Sequence, residues 1–254
     1  MLYNWLPKKV KRVQPYEKLA HIYDFVMRHV DYDLWAEYVL NLLMMVDRLP
    51  SSLLDVSCGT GSFLSRLKWR VPELYGFDGS LAMVAQARKK DILEGIPLWV
   101  GDMRRFGLRR KVDTVVCLYD SINYLLNIEA VQLALENFYE ITTPRGVLVF
   151  DICTIQNSEL NFANYYESKK EKTFSYTRWS HYDRESRIQF TEFHIKFKGD
   201  GTAYHEIHRQ RIYPIEQFVD VIEKTPWKLR AALDGFSRDP ASRNSNRVHF
   251  LLTK

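Results

Sequence analysis

Long hydrophobic runs are missing from this chain of 254 residues. The greasiest stretch, Tyr38 to Val46, is interrupted by Asn41 and is about half of what crosses a bilayer. Near the N-terminus Lys8, Lys9, Lys11 and Arg12 are followed by Gln14, Pro15, Glu17 and Lys18, so the apolar stretch of a secretory signal is also missing. Both absences predict a cytoplasmic protein with no membrane partner. Cysteine is scarce. Cys58, Cys117 and Cys153 stand 59 and 36 residues apart, which suits neither a disulfide framework nor a paired zinc knuckle, and they read as small, buried, reduced thiols. No fixed-period repeat or low-complexity tract occurs, which excludes solenoids and propellers. Nor does one charge dominate: 36 Lys+Arg against 31 Asp+Glu leave only +5. The basic clusters at Lys8–Arg12, Arg104–Lys111 and Lys169–Lys172 read as solvated loops.

Present instead is alternation. From Ser51 onward, short β-rich runs (Ser52–Val56, Glu73–Phe77, Leu98–Val100, Val112–Leu118, Val147–Ile152) alternate with helical stretches (Ser62–Trp69, Ser80–Leu93, Ile128–Ile141). That order specifies βαβ crossovers and a parallel sheet covered on both faces. Val147-Leu148-Val149-Phe150 is apolar throughout, as two-sided burial requires. Pro144-Arg145-Gly146 is expected to be a tight turn between helix and strand. Beyond residue 155 the texture becomes antiparallel hairpins over Phe174–Tyr182, Arg187–Lys198 and Ala203–Tyr213, with a bulge expected near Thr191-Glu192, where the apolar phase flips. A helix (Ile215–Lys224) and two strands (Trp227–Leu233, Arg247–Leu252) complete the sheet. Tyr16–Val30 and Leu34–Val46 are expected to be two amphipathic helices over its open edge.

Ligands of such sheets bind beyond the strands' carboxyl ends. The first end reads Leu54-Asp55-Val56-Ser57-Cys58-Gly59-Thr60-Gly61, a glycine-bearing loop opening a helix. A dinucleotide loop needs a third glycine at position 64, where Leu64 stands, and no Gly-Lys-Ser/Thr phosphate grip follows. The ligand is therefore expected to be a nucleoside without phosphate. Asp78, 23 residues after Asp55, is placed to accept hydrogen bonds from ribose hydroxyls, and Gly101-Asp102-Met103 to read and cover an adenine.

These residues resemble the first motif, ribose acid and adenine loop of the class I, seven-stranded S-adenosylmethionine-dependent methyltransferases, over roughly residues 16–254. With Ile22-Tyr23-Asp24 and Asp31-Tyr32 ahead of the core and a hairpin cap after the fifth strand, the chain looks most similar to small-molecule members such as aminosugar and glycine N-methyltransferases. Gly79 and Arg145 depart from the family, whose members often have Leu and Gly there. The resemblance implies an α/β fold: a Rossmann-like, mostly parallel seven-stranded sheet (51–156 and 214–254), N-terminal cap helices (1–50) and an inserted antiparallel β cap (157–213). It implies S-adenosyl-L-methionine as cofactor, with Gly59 at the methionine part, Asp78 on the ribose, and Asp102 and Met103 at the adenine. Asp55, Gly61, Gly79, Ser80 and Leu118 complete the candidate cofactor set.

Tyr16, Tyr23 and Trp35 are expected to cover that cofactor with aromatic faces suited to a sulfonium or an adenine. Residues 1–15 are expected to be dispensable for its binding. At the fourth strand end Asp120, Asn123 and Tyr124 are the candidate catalytic residues: methyl transfer needs alignment and dryness, and for an amine acceptor Asp120 or a cap histidine could take a proton. His181, His194, His205 and His208 fall in the cap, but His205 and His208 are three apart, an odd spacing that splits strand faces, so no metal site is expected. The leading reading is methylation of a small polar acceptor. The alternatives are an RNA methyltransferase using the basic clusters, and a non-catalytic S-adenosylmethionine-binding module.

Overall fold

The computed structural model describes residues 9–254. Strand β1 (Lys9–Arg12), a 3-10 turn at Leu19–His21, helix α1 (Tyr23–Val26) and helix α2 (Tyr32–Met44) lead into the core. There follow β2 (Ser52–Val56), α3 (Ser62–Leu67), β3 (Glu73–Asp78), α4 (Leu81–Ala87), β4 (Leu98–Val100), β5 (Val112–Cys117), α5 (Ile128–Glu140) and β6 (Thr142–Cys153). Helix α6 (Ile155–Asn161) precedes β7 (Asn164–Lys170), β8 (Phe174–Asp183), β9 (Ile188–Phe197) and β10 (Thr202–Arg211). Then come α7 (Ile215–Glu223), β11 (Lys228–Asp234) and β12 (Arg247–Thr253).

One sheet runs β11-β12-β6-β5-β2-β3-β4, parallel except for β12, which is antiparallel to both neighbours. All five residues of β2 are buried. Leu53 packs on one face with Val39, Leu43, Leu64 and Leu67, while Leu54 and Val56 pack on the other with Val131, Leu135, Phe138 and Phe218. That double burial is why its sequence is apolar at successive positions. Helix α5 starts where Asn127 accepts a hydrogen bond from Ala130 N at 2.8 Å, and turns Val131, Ala134, Leu135 and Phe138 inward at helical spacing. Strand order reverses between β2 and β5, so their outgoing loops diverge and leave a cleft.

The second sheet runs β1-β10-β9-β8-β7. Its inner face meets the N-terminal segment through Tyr176, Phe193, Ile195, Leu19, Ile22 and Val26.

Several expectations are corrected. Residues 16–30 are not one helix: the backbone N–H groups of Tyr16, Lys18 and Leu19 donate to the buried Glu206 carboxylate at 2.6–2.8 Å, and Tyr16 is left-handed at φ 64°. Strands β1 and β7 went unread because edge strands that bury one face weakly or not at all carry little alternation. Lys8 of the first basic cluster lies outside the described residues; the rest of it is β1, paired in parallel with β10. No bulge occurs near Thr191: β9 keeps register with both neighbours, and Gln189, Thr191, Phe193 and Ile195 form one buried face whose first two members are polar. Pro144-Arg145-Gly146 belongs to β6 itself, as a bulge between the pairs Val112↔Thr142 and Thr114↔Val147 with Arg145 at φ 65°. The three cysteines are free and buried.

His249 of β12 sits among Trp35, Tyr38 and Phe236, ring centroids 4.8–5.4 Å away, with neither ring nitrogen hydrogen-bonded. Burial, and then the Arg247 charge, push it down to about 3. A base depressed by folding binds fewer protons folded than unfolded, so its contribution is complete above the ordinary histidine pKa and is lost as pH falls toward about 3. Between about pH 7 and pH 4 this loss is expected to reach about 3 kcal/mol. Urea midpoints of the wild type and His249→Phe at both pH values check it; equal pH slopes would remove His249 as the cause.

Candidate active site

Over the carboxyl ends of β2, β3 and β5 lies a cavity of about 550 Å³, roofed by the N-terminal segment and by the cap's inner face. Ser57, Gly59, Asp55, Asp78, Gly79, Ser80, Met103, Leu118, Asp120, Tyr124, Tyr16, Tyr23 and Trp35 all line it. All of these but Ser57 were candidates from the sequence, while the candidates Gly61, Asp102 and Asn123 do not line the cavity.

The floor is the β2–α3 loop, where Ser57, Gly59 and Gly61 take φ values of 67°, 55° and 76°. A side chain at Gly61 would be strained at that φ and would put Cβ 2.3 Å from Leu93 Cδ1. Leu64 fills the place of a third glycine: its Cδ1 lies 2.7 Å from where a Cβ on Gly76 would stand, so the close helix–strand approach uses a strand glycine instead. Asp78 Oδ2 accepts from Gly59 N at 2.9 Å and Oδ1 from Ser80 N at 2.8 Å. Burial raises its carboxyl, opposed by those two bonds. Burial, and then the Asp78 charge, raise Asp55 well above the usual carboxylate range.

The N-terminal segment is buckled onto this loop. Thr60 Oγ1 donates to Asp24 Oδ1 at 2.5 Å, and Lys90 Nζ bridges Asp24 Oδ2 at 2.8 Å and Ser62 Oγ at 2.9 Å. The Tyr23 ring is thereby laid beside Gly59, its Cε1 3.9 Å from where a Cβ there would sit. Gln14 and Pro15 also line the cavity, and β1 pairs with β10, so residues 9–15 contribute to the enclosure. Trp35 reaches the wall but is packed mainly by Tyr119, Phe236 and His249, at 4.9–5.6 Å between centroids.

A chain of polar groups runs along the cap side. Tyr16 Oη lies 2.6 Å from Tyr124 Oη, which lies 2.9 Å from His208 Nδ1. His208 Nε2 lies 3.3 Å from Glu206 Oε2. Glu206 accepts only as a carboxylate, so Nε2 carries the ring proton, Nδ1 accepts from Tyr124, and Tyr124 accepts from Tyr16. Tyr16 keeps free oxygen lone pairs toward the cavity. Burial raises both phenols, so both stay protonated.

Asp120 is not a free base. It is left-handed at φ 51°, and its carboxylate accepts from Gln210 Nε2 at 2.6 Å and from Arg247 Nη2 at 2.9 Å. Arg247 also binds Asp151, whose Oδ2 accepts from Asp120 N at 2.9 Å. Burial works against the guanidinium, but Asp151 and Asp120 outweigh it and hold Arg247 above its ordinary value. Asn123 does not line the cavity. It is fully buried, donating Nδ2–H to Arg211 O at 2.7 Å and accepting from Cys153 N at 3.1 Å, so it joins the cap to β6 instead of orienting an acceptor. Asp102 lines an adjoining hollow with Gly101 and Met103, its carboxylate held at 2.6 Å by Arg104, a half-exposed member of the basic cluster expected to be solvated.

The cap contributes Arg178, Thr191, Phe193, His208 and Gln210. Most were missed, since only strand register reveals that residues 206, 208 and 210 share the inner face. The same register places Glu192, His194 and His205 together on the outer face, ligand atoms within 4.8 Å of one another, a cross-strand cluster that spacing along one strand could not show. Four of the seven left-handed non-glycine residues described, Tyr16, Ser57, Tyr119 and Asp120, line the cavity, so backbone strain concentrates there.

Among the described residues no helix is long and apolar enough to cross a membrane. The family described as a methyltransferase domain matches residues 53–146. The chain is 27% identical to the putative methyltransferase YqeM of Bacillus subtilis over 94% of itself and 97% of that protein. It is 31% identical to the dTDP-3-amino-3,6-dideoxy-alpha-D-glucopyranose N,N-dimethyltransferase of Streptomyces fradiae, over 79% of itself and 80% of the relative. In fold it matches the crystal structure of an S-adenosylmethionine-dependent methyltransferase from Clostridium acetobutylicum, with a TM-score of 0.80 and 21% identity over 94% and 98% of the two chains.

Proposed function

The chain belongs to the class I S-adenosylmethionine-dependent methyltransferases, and from that premise we propose that it methylates the amine nitrogen of a small polar molecule. The observation that carries this reading is the Tyr16–Tyr124–His208–Glu206 chain beside the cavity. Similarity to an aminosugar N,N-dimethyltransferase over most of both chains supports it.

The cleft suits the cosubstrate. Gly59 keeps side-chain atoms off the floor, Asp78 has unused lone pairs for two hydroxyls, and Met103 lines both the cavity and the adjoining hollow, with Asp102 in the latter at the nucleobase end. Bound there, S-adenosylmethionine supplies an electrophilic methyl carbon on a sulfonium. Tyr23 and Trp35 shield that end from water. Tyr16 Oη accepts from the ammonium form of the acceptor; as its proton passes to Tyr16, Tyr16 hands its own to Tyr124 and Tyr124 hands its own to His208 Nδ1. The imidazolium so formed is held against the Glu206 carboxylate, and the nitrogen is left with a free lone pair.

Tyr124→Phe and His208→Gln are expected to lower kcat on an amine acceptor by about tenfold to hundredfold while leaving S-adenosylmethionine affinity within about twofold. The test is an assay of demethylated product over amino sugars, nucleotide-linked amino sugars, hydroxyl analogues and total RNA, with mass spectrometry locating the methyl group. Methylation of oxygen, carbon or RNA, or full kcat in both variants, would sink the reading.

A further inference from the structure

Arg178 projects from β8 into the cap end of the cavity, on the same inner face as Phe193 and Thr191, its neighbours across β9. Its guanidinium lies 5.2–5.7 Å from the ring centroids of Phe162, Tyr165 and Phe193. Rings hold a planar cation in place but do not neutralise it. Among the described residues it makes no hydrogen bond and no ion pair, and its Nε is buried without a partner. The acidic groups nearby are placed elsewhere: Asp120 is committed to Arg247 and Gln210, Asp78 to two backbone N–H groups and Glu206 to three, Asp55 stands on β2 at the core end, and Glu167, opposite Arg178 on β7, accepts from Tyr165 and Tyr176. A half-buried guanidinium with five donors and no acceptor is an incomplete arrangement, and an anion with paired oxygens completes it.

We propose that Arg178 is the anion subsite of the acceptor, which therefore carries a carboxylate or a phosphate besides its methylated atom. Seen from Tyr16 and Tyr124, Arg178 is on the cap side and the glycine loop on the core side, so the anion is held away from the cosubstrate. The inference rests on the reading that the acceptor enters at the cap end, and it names that acceptor's class.

Two probe series on the protein saturated with S-adenosylhomocysteine test it: inorganic phosphate and pyrophosphate in one, malonate and succinate in the other, each titrated by calorimetry. One series is expected to bind saturably, which identifies the anion type, and Arg178→Gln is expected to weaken that series by about tenfold or more. Arg178→Lys, which keeps the charge but loses the fork, is expected to retain part of the affinity. Melting temperatures of both variants without anion verify folding. Equal anion affinity in Arg178→Gln overturns the proposal. So does a matching loss of S-adenosylhomocysteine affinity, because Arg178 would then serve the cosubstrate's own carboxylate. If neutral amines are methylated as well as anionic ones, the subsite falls and the amine reading stands. If anions bind through Arg178 yet the methyl lands on oxygen or carbon, the subsite stands and the amine reading falls.

Discussion

Asp78→Ala is expected to weaken S-adenosylmethionine binding by about 1.5–3 kcal/mol, on the order of tenfold to a hundredfold in Kd. Two losses combine. A charged acceptor for the ribose hydroxyls disappears, and Gly59 N and Ser80 N lose the carboxylate that fixes the glycine loop. Asp78→Asn separates them, because an amide oxygen still accepts from one backbone group while the charge is gone; it is expected to fall between wild type and alanine. Calorimetry with S-adenosylmethionine and S-adenosylhomocysteine, paired with ligand-free melting temperatures, gives the answer. Unchanged affinity in Asp78→Ala would put the ribose elsewhere in the cleft.

Arg247→Met is expected to cost about 3 kcal/mol of folding stability, toward the low end for breaking a buried ion pair because Arg247 keeps 19% of its side-chain surface exposed. The loss comes from what is left behind: Asp151, with no exposed side-chain surface, and Asp120 would share a low-dielectric pocket without a cation. Burial already raises both carboxyls against the lowering effect of Arg247; without the guanidinium they would rise further, so the folded variant would bind more protons than the wild type and its deficit should shrink as pH falls. Urea midpoints at about pH 7.5 and pH 5.5 measure it. A loss below about 1 kcal/mol, or a deficit that does not shrink on acidification, would count against the account.

The buried half of this fold was readable because physics leaves few options there. Strand β2 appears with the bounds its composition suggested, since residues buried on two faces must be apolar and the turns around them polar; β4 keeps its expected bounds too, although it is an edge strand with Val100 exposed. The site loops followed from the same frame: Gly59, Asp78 and Tyr124 were placed by standing at strand ends. What sequence could not give was any relation across strands. His208 was one histidine among four until register turned it inward beside Tyr124, and Arg178 was one more charge on an alternating strand. Asn123 misled for a similar reason: its place at a strand end is right, but its side chain is consumed by Arg211 O and Cys153 N, partners 88 and 30 residues away. Residues 16–30 looked helical because nothing local announces that Glu206 captures their N–H groups.

That capture bears on how the protein comes to fold. The bond from Tyr16 N to Glu206 spans 190 residues, and β1 waits for β10 in the same way. During synthesis the N-terminal segment therefore emerges long before its anchor exists, while the contacts from β2 to β6 are comparatively near in sequence. The enclosure over the cleft is therefore expected to form late, and loop-closure entropy favours its opening ahead of the core. Amide exchange at Lys18 and Leu19 should consequently proceed through partial opening, well before the protons of β2 exchange by global unfolding.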